Sequence, residues 1–259
     1  MSNLVLLQIE NGVGYITLNR PEKFHSFVRE MALALQDCLD KCEDSDDVRC
    51  IYITGTGKAF CAGQDLSEAT EPNGPELEQI VREHYNPIIT RLRKIEKPIV
   101  MAVNGVAAGA GANIALAGDI VVAKESASFI QAFSKIGLIP DSAGTYFLPR
   151  LVGMQRALAL TMTGDKVSAT EALSMGMIYK YFSDDSFEAE SKKIALNLAE
   201  MPTKALGLTK RLLNESYNNT LVQQLDREKD LQVEAGTSYD FKEGVAAFLE
   251  KRKPVFKGK

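Results

Sequence analysis

KPIVMAVNGVAAGAGANIALAGDIVVAKE, residues 97–125, decides the fold. Two apolar runs, KPIVMAVNG (97–105) and GDIVVAKE (118–125), carry strand signals, and the stretch of glycines and alanines between them leads into a helical run. Working outward, VLLQIENG (5–12), VGYITLNRP (13–21) and VRCIYITGTG (48–57) show the same strand signals. The segments FVREMALALQDCLDKCE (27–43) and ELEQIVREHYNPIITRLRKIE (76–96) have helical period. The first 150 residues are therefore expected to be repeated ββα and βα units of an α/β fold.

Beyond residue 150 the pattern turns helical. SATEALSMG (168–176) holds a capping box from Ser168 to Glu171, and three helical segments follow, with IYKYF as the one strand signal among them. Helices with apolar faces and no linker before them are expected to pack on their own domain or on sister subunits. The expected division is an α/β core over 1–200 and a helical region over 201–259 that serves oligomerisation.

Composition narrows the function. With 259 residues, 45% apolar and 25% charged, the chain is long enough for a sizeable core. A net charge of −4 gives no footprint for nucleic acid or an anionic membrane. Cys38, Cys42, Cys50 and Cys61 form no CxxC pair, and with His25 and His84 the only histidines, no zinc-like spacing occurs. The N-terminus lacks a basic and then apolar leader, so a cytoplasmic protein with reduced thiols is expected, without a metal or a separate cofactor. Both histidines read as surface or packing residues.

Three segments carry candidate chemistry. GKAFCAGQDLSE (57–68) follows a strand and offers backbone around Ala62, Gly63 and Gln64, although Asp65 or Ser67 also reads as a helix cap. NGVAAGAGANIALAGD (104–119) lacks the dinucleotide fingerprint; it feeds a helix N-terminus whose free N–H groups suit an oxyanion, or it packs helices through small residues. In GLIPDSAGTYFLPR (137–150), Asp141 reads locally as a helix cap. Flanking Ile136, Leu138, Ile139 and Pro140, with Phe133, could form an apolar wall that raises its pKa, whereas a following helix start would lower it. The polar run at 67–82, with Pro72, Gly74 and Pro75, reads as a mobile lid over the ligand pocket.

KAFCAGQDL, NGVAAGAGANIALAGDIVVA and AFSKIGLIPDSAGTYFLPRLVG, in this order and spacing, resemble the enoyl-CoA hydratase/isomerase (crotonase) superfamily, and the resemblance runs from ITLNRPEKFHSF to the C-terminal EGVAAFLEKRKPVFKGK. It implies a crotonase-like spiral that binds an acyl-CoA, with the thioester oxygen held by the main-chain N–H groups of Gln64 and Ala110. It also implies CoA contacts from Ala62, Gly63, Asp65 and Leu66, and from Phe248 and Lys251 across a subunit boundary in a homotrimer or dimer of trimers. Asn113 and Phe133 stand where hydratases carry two glutamates, which argues against simple hydration, and Asp141 occupies the acidic position of several isomerases and a dehalogenase. The expected activity is proton transfer on an acyl-CoA, with a ring epoxide of phenylacetyl-CoA as the preferred substrate. Alternatives are a double-bond shift in a linear enoyl-CoA, and a CoA-thioester binding or scaffold protein without catalysis.

Overall fold

A computed structural model describes residues 3–70 and 74–259. Strands β1 (Val5–Glu10), β2 (Val13–Leu18), β3 (Cys50–Gly55), β5 (Ile99–Val103), β7 (Ile120–Lys124) and β10 (Lys180–Phe182) form one sheet in the order β1-β2-β3-β5-β7-β10. The β1–β2 pair is antiparallel and every later neighbour is parallel.

The central strands β2, β3, β5 and β7 are covered on both faces, which is why they are apolar nearly throughout, whereas the edge strand β1 is largely exposed. On β3 and β5, Ile51, Ile53, Ile99 and Met101 face a core shared with helix α1 (Arg29–Asp44) and helix α4 (Asn86–Lys94). Cys50, Tyr52, Val100 and Ala102 alternate with them and pack with Phe187, Ala195 and Ala199 of a later helix. The Tyr52 hydroxyl hydrogen-bonds Ser191 Oγ of that helix at 2.9 Å.

A second, smaller sheet stands beside the first. Three-residue strands β4 (Ala59–Cys61), β6 (Val106–Ala108) and β8 (Ser128–Ile130) run parallel, and β9 (Lys166–Ser168) closes the edge antiparallel to β8. Strands this short have no measurable period, so the sequence gives no sign of this sheet.

The run at 76–96 is helical as expected, but not uniformly α-helical. Helices α2 (Leu66–Thr70) and α3 (Leu77–Gln79) are short, and Ile80–Tyr85 forms a π-helical turn between α3 and α4. Thus part of the expected 67–82 lid is helix, and its residues 71–73 lie outside the described residues.

Helices α5 (Ala110–Leu116), α6 (Gly144–Val152), α7 (Met154–Thr163) and α8 (Ala169–Ser174) follow, α8 with both halves of the expected Ser168–Glu171 capping box. Helices α9 (Phe187–Ala199), α10 (Thr203–Glu215), α11 (Leu221–Gly236) and α12 (Tyr239–Glu250) complete the chain. The buried Lys210 ammonium of α10 lies 2.8 Å from Asp119 at the start of β7, and the Asn214 side-chain oxygen accepts from Arg93. No described helix is long and apolar enough to cross a membrane.

Candidate active site

The small sheet is the platform of the site. Its parallel strands β4, β6 and β8 end at the same edge, and the chain leaving each one carries a candidate group: Gln64 after β4, Ala110 after β6, and Asp141 in the longer excursion after β8.

The loops after β4 and β6 meet. A methyl group placed on Gly63 would sit 3.4 Å from the Ala110 nitrogen and 3.1 Å from the Ala108 oxygen. Gly63 also has φ +92°, a conformation open to glycine at little cost, so the residue is required twice over.

Main-chain hydrogen bonds fix the direction of Gln64. Phe27 N donates to Gly63 O at 2.6 Å and Asp65 N donates to Phe27 O at 2.8 Å, leaving the Gln64 N–H between them without a main-chain acceptor among the described residues. Ala110 is the first residue of α5, where a helix leaves its N–H groups without partners of its own. Because α5 has only seven residues, these aimed N–H groups matter more than any long-range helix dipole.

The loop around Asp141 is held by its own main chain. Ser142 and Ala143 both have positive φ, 50° and 58°, and Gly144 N closes the turn onto Asp141 O at 2.8 Å. The Asn113 amide donates to that same carbonyl at 2.9 Å and accepts from Gln131 Nε2 at 2.8 Å. Asn113, expected to stand in place of a hydratase glutamate, is therefore a bracket for the Asp141 turn. Phe133, at the second, is buried, its ring tip 3.9 Å from where a Gly109 methyl would stand.

The local expectation that Asp141 caps a helix is overturned. Helix α6 begins at Gly144 without any side-chain cap, because two left-handed residues turn the chain before it starts. The carboxylate accepts from Ser142 Oγ at 2.9 Å. Burial raises its pKa to about 6, against the opposing pull of the Ser142 hydroxyl and its own main-chain N–H. Desolvation therefore outweighs these two hydrogen bonds. The expected apolar wall is only partly present, since Ile136, Leu138 and Ile139 are exposed on this chain and Phe133 alone of the named large side chains is buried.

The expected CoA residues divide into two groups. Ala62 and Leu66 are exposed beside Gly63. The Asp65 side chain is committed elsewhere: it pairs with Arg20 at 2.7 Å and accepts from Ser67 N at 3.0 Å, the helix-capping role that the sequence also allowed. Phe248 and Lys251 stand apart from this cluster, exposed at the end of α12, whose helix contacts are with α11.

Neither histidine is a surface residue. His25 is buried, with Nδ1 accepting from Arg20 N at 2.8 Å and Nε2 at 2.7 Å from the Thr56 carbonyl, so its role is packing. His84 is equally buried but has no hydrogen-bond partner on either nitrogen among the described residues. Tyr85, which carried no expectation, donates its hydroxyl to Gln64 Oε1 at 2.7 Å.

The N–H groups of Gln64 and Ala110 lie on loops that meet, and the loop after β8 holds a half-buried carboxyl with a raised pKa; groups of these kinds suit an enzyme that stabilises an oxyanion while a proton moves. The chain belongs to the enoyl-CoA hydratase/isomerase family, whose sequence pattern it matches over residues 8–259. It is 48% identical to the 1,2-epoxyphenylacetyl-CoA isomerase of Escherichia coli K12 over 262 aligned positions, covering all of both chains. It is 43% identical to a Rhodobacter capsulatus protein described as a probable enoyl-CoA hydratase, over 97% of each chain. Its fold superposes on the enoyl-CoA hydratase of Bacillus anthracis with a TM-score of 0.92 at 32% identity, covering 99% of this chain and 100% of the other. The architecture is the crotonase fold, as the sequence resemblance implied.

Proposed function

We propose that this enzyme isomerises an acyl-CoA thioester by moving one proton between carbons. The main-chain N–H groups of Gln64 and Ala110 hold the thioester oxygen as it gains charge, and ionised Asp141 takes the proton from the carbon next to the thioester and returns it elsewhere. Losing one such donor costs about 2.7–4 kcal/mol of barrier lowering in comparable sites.

One observation carries this reading: the carboxyl of Asp141, with its pKa raised to about 6, exchanges a proton readily near neutral pH. Asn113 is not an acid, and its amide is engaged with Asp141 and Gln131, so the bracket that holds Asp141 takes the place of a water-activating glutamate.

For substrate, the likeness to the E. coli isomerase supports a ring-1,2-epoxide of phenylacetyl-CoA, rearranged to its seven-membered oxepin isomer as a step of phenylacetate breakdown. A shift of a linear 3-enoyl-CoA double bond to the 2,3 position needs the same groups. The reading assigns Phe248 and Lys251 to the CoA of a neighbouring copy in a homotrimer or dimer of trimers.

The test incubates wild type and Asp141→Asn in heavy water with the ring epoxide, a linear 3-enoyl-CoA and crotonyl-CoA. Isomer formation with deuterium at carbon, lowered 10²–10⁴-fold in Asp141→Asn, is the expected result. Hydration of crotonyl-CoA that survives the substitution overturns it.

A further inference from the structure

The geometry points to Tyr85 as a positioning residue that fixes the oxyanion loop, holding the Gln64 side chain so that the Gln64 main-chain N–H keeps its aim. This inference rests on the proposed use of that N–H, and its first link is the 2.7 Å hydrogen bond from the Tyr85 hydroxyl to Gln64 Oε1.

The other end of the Gln64 amide is fixed as well. Nε2 donates to Glu68 Oε2 at 2.9 Å, and Glu68 Oε1 accepts from Arg29 N at the start of α1, also at 2.9 Å. The side chain is thus stretched between the π turn on one side and α1 with α2 on the other. Tyr85 makes a second contact with the same unit, since the ring of Phe27 packs edge-on against it at 5.9 Å and 86°. Phe27 supplies the two main-chain hydrogen bonds that bracket Gln64. One fully buried phenol therefore steadies both the side chain of Gln64 and the residue that pins its backbone.

The π turn explains how Tyr85 reaches this place. Its extra residue rotates the helix on one side by about 100° relative to the other, compared with an unbroken α-helix. The widened turn is supported from α1, where the buried Gln36 amide donates to Glu83 O at 2.8 Å and to His84 O at 3.3 Å. Both His84 nitrogens are buried there without partners among the described residues. Unpaired groups and π turns of this kind persist where they serve a site.

The experiment combines Tyr85→Phe, Gln64→Met and the double variant. Steady-state isomerisation is read together with the Gln64 backbone amide resonance of isotope-labelled protein, and thermal unfolding checks that each variant folds. Each single variant is expected to lower kcat about tenfold, less than the 10²–10³-fold of a lost donor, with KM nearly unchanged. The double variant is expected to match Gln64→Met alone, because Gln64→Met already cuts the link to Tyr85 together with the one to Glu68. The Gln64 amide resonance should move in Tyr85→Phe. Additive losses near a hundredfold, a change confined to KM, or an unmoved Gln64 resonance in Tyr85→Phe each overturn the inference. A wild-type enzyme that moves no proton on any thioester, with the resonance still displaced in Tyr85→Phe, sinks the proposed function and leaves the positioning role of Tyr85 supported.

Discussion

Asp141 is held ready at a cost in stability. Its pKa rises from 3.8 in an ordinary environment to about 6 in the fold, so the native state favours the protonated form. That contribution is full below about pH 3.8 and is lost as pH rises through 6; by pH 8 the ionised group costs roughly 3 kcal/mol relative to its protonated state. Asp141→Asn keeps the shape and the Ser142 hydrogen bond without the charge. It is therefore expected to raise Tm by several degrees at pH 8, with the gain shrinking toward pH 4, while removing the activity. Equal Tm shifts at the two pH values would contradict a buried charge as the cause. In the wild type, kcat/KM should rise with an inflection near pH 6 as the carboxyl ionises. The acidic residue itself was legible from its place in GLIPDSAGTYFLPR, but its freedom from capping was not, because that depends on Ser142 and Ala143 both taking left-handed backbone. Nothing in those two side chains announces that conformation.

Helix α6 must begin in contact with α5 for Asp141 to stay in place. Gly144, the first residue of α6, has ordinary φ, yet a methyl there would stand 2.2 Å from Asn113 Nδ2 and 2.5 Å from Asn113 Cγ. Alanine should otherwise favour a helix by about 1 kcal/mol, so a loss of stability in Gly144→Ala measures the collision alone. We expect Gly144→Ala to unfold earlier by about 1–3 kcal/mol and to lose about tenfold in kcat, since the displaced amide releases the Asp141 carbonyl. Adding Asn113→Ala should restore stability but not rate, as read by thermal unfolding beside steady-state kinetics. Recovery of both would show that Asn113 is filler. The elements differ in how openly the sequence shows them. Strands of five or six residues buried on both faces gave clear apolar runs, whereas the three-residue strands β4, β6 and β8 that carry the site gave none. The π turn was hidden inside a run of helical period, where Pro87 near the start of α4 was the available sign of a break.

Across the whole molecule, the sequence revealed the groups that follow one another along the motif-bearing loops, and missed those that come to the site from elsewhere in the chain. Gln64, Ala110 and Asp141 lie in recognisable stretches, and so do Glu68 and Asn113, whose supporting contacts were not legible there; Tyr85 and the Asn113 bracket on Asp141 become supports only through packing between distant segments. The same holds for the junction between the sheet and the C-terminal helices, which turns on Asp119. Its carboxylate accepts from Ile99 N at 2.9 Å and from Arg93 at 3.2 Å, and lies 2.8 Å from the ammonium of Lys210 on α10. Burial lowers the Lys210 pKa in spite of Asp119, which means that desolvation of the ammonium outweighs its attraction to the carboxylate. Lys210→Met should accordingly change stability little, by within about 1 kcal/mol, because Arg93 and Ile99 N still satisfy Asp119. Asp119→Ala removes the shared acceptor of three donors at once, one of them a buried cation, and is expected to cost about 3–5 kcal/mol. Denaturant unfolding of the two variants side by side checks the asymmetry. If Lys210→Met is instead as damaging as Asp119→Ala, the ion pair itself holds α10 to the sheet, and the main-chain and Arg93 contacts are secondary.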